Sequence, residues 1–109
     1  SGKKLICESP IHIHGYKFID DFRVVLIMID KKKGINGKST FTYTTTSVSI
    51  IIGINPIYGS ELIQVEKIDR LTLRENKNTD CKLFDDNIWS YMDDRLKIIK
   101  NEIKLKQKI

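Results

Sequence analysis

The nine residues from Phe22 to Asp30, Phe-Arg-Val-Val-Leu-Ile-Met-Ile-Asp, constrain the fold more than any other stretch. They are rich in β-branched side chains and apolar at both odd and even positions. Alternate residues of a strand point to opposite faces, so such a strand has to be covered on both sides. A central strand or a strand of a barrel meets that condition. The rest of the chain must therefore supply the cover.

Neighbouring segments carry the marks of further strands. Lys3 to Glu8 reads as a short first strand ended by Ser9-Pro10, because proline removes a ladder donor. Ile11-His12-Ile13-His14 alternates with period two and is expected to put its isoleucines on one face and its histidines on the other. Asn36-Gly37, within Lys31 to Lys38, predicts a hairpin tip. Ser39 to Ile54 is longer than an ordinary strand of about five to six residues and reads as two strands or one bent by a bulge. A loop is expected at Asn55-Pro56 and Gly59-Ser60, then short strands at Leu62 to Val65 and Leu71 to Leu73, then a polar loop from Glu75 to Asp80.

From Asp85 or Asp86 the period becomes helical, with an aspartate expected as N-cap and acids in the first turns. Ile88, Met92, Leu96, Ile99 and Ile103 recur at steps of 4, 4, 3 and 4 and form one stripe, widened by Trp89, Tyr91 and Ile98. Leu105 and Ile109 drift off it, so the last turns should project. The expected class is α+β and mainly β: an antiparallel sheet or barrel of six to seven strands followed by one long amphipathic C-terminal helix. At 109 residues, one domain spanning 1–109 is expected. Ser1-Gly2 stands where an initiator Met would be and looks like a tag remnant, which predicts a piece cut from a longer protein.

The net charge of +5 is confined to one end. Thirteen basic residues balance thirteen acidic ones from Ser1 to Asp94, whereas Arg95, Lys97, Lys100, Lys104, Lys106 and Lys108 face only Glu102 in the last 15 residues. Arg95, Lys97, Lys100, Lys104 and Lys108, with Lys31, Lys32 and Lys33 at the hairpin tip, are the candidate binding residues for an acidic partner. Aromatics interleaved with the lysines, which nucleic-acid binding favours, are missing.

Known catalytic devices are absent from the sequence. It has no G-x-S-x-G, G-x-G-x-x-G, G-x-x-x-x-G-K-[ST] or H-E-x-x-H, and Gly34 to Ser39 is too short for a phosphate loop. The acid pairs Asp20-Asp21, Asp85-Asp86 and Asp93-Asp94 are sequence neighbours that point apart. No enzymatic activity and no cofactor are expected. His12 and His14 share one side of a strand and would need a third ligand, such as Cys7 or Cys81, to hold an ion; without one, no tight metal site is expected. Cys7 and Cys81 read as buried free thiols in a reducing, intracellular setting, with no transmembrane segment of the required length of about 18 to 20 apolar residues.

The order of elements, a run of antiparallel strands and one amphipathic helix with its single Trp89 near the start, resembles the pleckstrin-homology-like superfold from about Leu5 to Ile103. The resemblance implies a terminal helix closing one end of a bent β-sandwich, with Trp89 in the core. Lipid-binding members use a Lys followed by an Arg-x-Arg pair; Lys17 and Arg23 are present, but Val25 replaces the second Arg, so the protein-binding members are the better analogy. The polo-box arrangement is a similar alternative. The expected function is a non-catalytic interaction domain for a protein partner, including a second copy of itself, with binding of anionic lipid or nucleic acid through the basic helix as the alternative.

Overall fold

The computed structural model describes residues 2–55 and 62–109. Eight antiparallel strands form a closed barrel in chain order: β1 (Lys4–Glu8), β2 (His12–Phe18), β3 (Arg23–Asp30), β4 (Ile35–Thr45), β5 (Ser49–Ile54), β6 (Ile63–Asp69), β7 (Arg74–Glu75) and β8 (Thr79–Leu83). One helix follows, α1 (Ile88–Lys106). A β-rich barrel with a C-terminal helix is compatible with a pleckstrin-homology-like order of elements. The strand number is eight rather than six or seven.

Period-two alternation divides the apolar residues between two cores. Leu5, Cys7, Tyr16, Phe18, Val24, Leu26, Ile52 and Ile68 fill the barrel. Ile6, Ile13, Val25, Ile27 and Ile29, on the opposite face of β1 to β3, pack against Ile88, Met92, Leu96 and Ile99 of the helix. This explains why β3 is apolar at every position from Val24 to Ile29: one parity lines the barrel and the other carries α1. Gly15 lets the helix approach, since a Cβ there would come within 3.2 Å of the Ile88 and Met92 side chains.

Several expectations are corrected. The β3–β4 turn is made by Lys31 to Gly34, with Asp30 Oδ1 accepting the Lys32 and Lys33 N–H groups at 2.9 and 3.0 Å and Gly34 at φ 66°. Asn36 and Gly37 lie inside β4, opposite Ile29 and Met28. An aspartate that satisfies the turn and a glycine that takes the left-handed position outweigh the Asn-Gly signal. Ser39 to Ile54 is indeed split, by a turn in which Thr46 Oγ1 accepts from Ser49 N–H at 3.0 Å. Leu71 to Leu73 is a turn rather than a strand, and the polar loop expected from Glu75 to Asp80 contains the end of β7 and the start of β8. Of the loop expected at Asn55-Pro56 and Gly59-Ser60, all but Asn55 lies outside the described residues.

At the helix, Asn87 is the N-cap in place of Asp85 or Asp86, its Oδ1 accepting from Ser90 N–H at 3.0 Å, and the first turn holds no acid. Ile88, Met92, Leu96 and Ile99 are buried as the stripe requires. Trp89 is not: it is 36% exposed, with the Lys17 and Lys38 ammonium groups 5.7 and 4.9 Å from its ring. It stands one step off the stripe, so it meets lysine stems at the helix margin instead of the core. Ile98 is exposed as well. Cys7 and Cys81, expected as free thiols, are joined in a disulfide between β1 and β8. No helix is long and apolar enough to cross a membrane among the described residues.

Candidate functional site

Strand β2 places His12, His14, Tyr16 and Phe18 on its inward face at steps of two. Their rings form a ladder, with the two imidazoles stacked at 4.0 Å and Tyr16 edge-on to His14 at 6.1 Å. Glu75 meets this ladder from β7. Its carboxylate is only 1% exposed and takes His14 Nδ1 at 2.6 Å, His12 Nε2 at 3.3 Å and the Tyr16 hydroxyl. Every buried side-chain polar atom among the described residues has a partner, so the barrel carries no unsatisfied charge.

Two turns hold Glu75 in place. Leu73 on one side and Asn76 and Lys77 on the other adopt positive φ of 54°, 51° and 71°. Left-handed backbone at non-glycine residues costs about 1 kcal/mol or more each, and such strain gathers where a side chain must be aimed. Asn76 ties the second turn to β6 by accepting from Lys67 N–H at 3.0 Å. A two-residue strand is thus fixed from both ends.

The electrostatics keep the pair in defined states. Burial works to raise the Glu75 carboxyl, but the hydrogen bonds from His14 and Tyr16 outweigh it, and it lies below the usual carboxylate value. Burial, reinforced by the Glu75 charge, pushes the Tyr16 phenol far up. Glu75 is therefore an anion and Tyr16 a neutral donor near neutral pH.

His12 and His14 open onto a cleft of about 530 Å³ whose wall includes Ile11, Met28, Ile35 and Gly37. Along this cleft runs the first half of β4. It pairs with β3 from Ile35 to Thr42, but its pairing with β5 covers only Thr42 to Thr45. The Tyr43 N–H bonds to Phe22 O on the β3 side, and backbone direction alternates in an antiparallel strand. Asn36, Lys38 and Thr40 therefore turn their N–H and C=O groups away from β3, and these have no backbone partner among the described residues.

The basic residues are brought together in part. Lys31 and Lys32 meet Ile103 and Lys106 around a shallow groove, and Lys100 packs beside Gly34. Lys97, Lys100, Lys104 and Lys108 are exposed, as is Lys33. Arg95 and Lys31, however, are engaged. Arg95 grips Glu8 with both Nη atoms at 2.7 and 2.6 Å, and Lys31 Nζ sits 2.6 Å from the same carboxylate. Arg95 thus holds the helix to the barrel, and Lys31 ties the β3–β4 turn to β1.

Glu75 escaped the reading of the sequence. It stands in a polar segment with no spacing relation to the histidines, and the one available signal was that an H-x-H pair invites an acidic partner as readily as a cysteine. No family model, curated protein sequence or solved structure matches the chain.

Proposed function

We propose that the chain is a non-catalytic interaction domain that accepts an extended segment of a protein partner, a second copy of the chain included, along the edge of β4 that has no backbone partner among the described residues. The observation that carries this reading is the row of outward backbone groups at Asn36, Lys38 and Thr40 beside an apolar cleft. A bare strand edge is a template for an added strand, in which main-chain hydrogen bonds give affinity and adjoining pockets give specificity. Ile11, Met28 and Ile35 are exposed large apolar residues at that place. Binding of an anionic surface through the lysines of α1 is the weaker alternative, because Arg95 and Lys31 are both engaged by Glu8.

Peptides selected from a displayed library against the domain provide the test. Bound peptides should shift the backbone amide resonances of Asn36 to Thr40, with affinity that changes little between low and physiological salt. Thr40→Pro removes an outward donor while sparing the β3 ladder and should abolish binding. Selected peptides that bind Thr40→Pro as well as wild type would refute the reading. A steep salt slope with loss of binding in a Lys97, Lys100, Lys104 and Lys108 to Glu variant would instead favour the anionic surface.

A further inference from the structure

We propose that His12, His14 and Glu75 form a binding site for a divalent first-row transition-metal ion such as zinc. Two imidazole nitrogens and one carboxylate oxygen are the donor set such ions take. One ring nitrogen of His12, one of His14 and a Glu75 oxygen all lie within 4.8 Å of one another. Ligands at about 2.0 to 2.1 Å from a tetrahedral ion stand about 3.3 Å apart. The His12 Nε2 to Glu75 Oε1 separation is 3.3 Å, and the 2.6 Å approach of His14 Nδ1 to Oε2 needs only to open by a fraction of an ångström.

The surroundings support the ligands as a metal site requires. The Tyr16 hydroxyl donates to Glu75 Oε2, leaving Oε1 to face His12. Hydrogen bonds of this kind orient ligating carboxylates and tune their affinity. The strained turns around Glu75 and the stacking of the two imidazoles fix the donors before any ion arrives. Three protein donors leave a fourth position, and the two histidines open onto the cleft from which water or a partner's donor can reach it. The missing third ligand was the reason for expecting no ion from the sequence; Glu75 supplies it, while both cysteines are occupied with each other. Binding exchanges the N–H···O contacts for N and O ligation, so protons leave the imidazole nitrogens that face Glu75 as the ion enters.

The test uses the whole domain, stripped with a chelator and titrated with zinc chloride by calorimetry and with cobalt(II) chloride by visible absorption. One ion per chain, the intense bands of tetrahedral cobalt and a melting temperature raised by zinc are expected. His12 is 27% exposed at the mouth, so His12→Ala should stay folded and lose the cobalt bands. Tyr16→Phe should weaken zinc by about 10-fold to 100-fold, the usual effect of removing a group that orients a ligand. Glu75→Gln should lose the ion if it folds, and His12→Ala decides the matter if it does not. Failure of the wild-type domain to bind one ion per chain, or undiminished binding by folded His12→Ala, would overturn the proposal.

Discussion

Glu8 ties three elements together, because its one carboxylate on β1 is gripped by Arg95 from α1 and by Lys31 from the β3–β4 turn. The Arg95 hydrogen bonds, aided by Lys31, overcome the burial that would raise it and hold its pKa at about 2 against an ordinary 4.5. A folded-state value below the unfolded one means stability that is present above about pH 4.5 and is lost as the pH falls towards about 2. The shift corresponds to about 3 kcal/mol, and to about 1 to 2 kcal/mol after solvent screening of a one-third exposed group. Urea midpoints at about pH 6 and about pH 2.5 should therefore separate by less in Glu8→Gln than in wild type; an equal separation would assign the acid sensitivity elsewhere. Nothing of this pairing was legible in the sequence. Arg95 counted there as one more charge of a basic end, and its partner lies 87 residues away. Glu75 was hidden for the same reason, since a residue's neighbours across a barrel are set by strand order rather than by local spacing.

At the scale of elements, the stripe Ile88, Met92, Leu96 and Ile99 could be read from its period because a helix that buries one face must repeat with the helical turn. The period also decides what each side chain is worth. Met92 is buried under the helix against Gly15, and Met92→Ala should cost about 2 to 5 kcal/mol. Trp89 lies off the stripe under two lysine ammonium groups, so Trp89→Ala should remain folded and cost no more than about 2 kcal/mol, in contrast to what a core tryptophan would cost. Thermal melts of the two variants check this: the larger loss should belong to Met92. Strands β1 and β3 were equally legible, since β-branched runs and alternation name both faces, but β2 only as far as His14, because it continues through Gly15 to Phe18. Strands β7 and β8 were not. Their hairpin rests on Leu73, Asn76 and Lys77 at positive φ, where no glycine announces the turn, and β7 is too short to show a period.

The whole molecule depends on how the first strand meets the last. Closure pairs β1 with β8 through Leu5 with Leu83, Ile6 with Lys82 and Cys7 with Cys81, a short ladder that must hold the ends of the barrel together. The sequence contained both cysteines but not their register, and two thiols in a chain able to bury a core do not announce a bond. Once β1 and β8 are neighbours the pair is directly opposed, and the disulfide locks the closure at one end of the ladder. Because the bond closes a loop with a sequence separation of 74, it limits the unfolded chain far more than a local bridge would. The chain-entropy relation puts that effect at about 4 kcal/mol, a large part of the stability of a domain of this size. Reduction, or the Cys7→Ser and Cys81→Ser double variant, should lower the urea midpoint accordingly while leaving the far-ultraviolet dichroism of the folded state in place. The amides of β8 should lose hydrogen-exchange protection before those of β2 and β3, since β8 is held by the short ladder while β2 and β3 are pinned beneath α1. An unchanged midpoint on reduction would show instead that the ladder and the helix close the barrel without the bond.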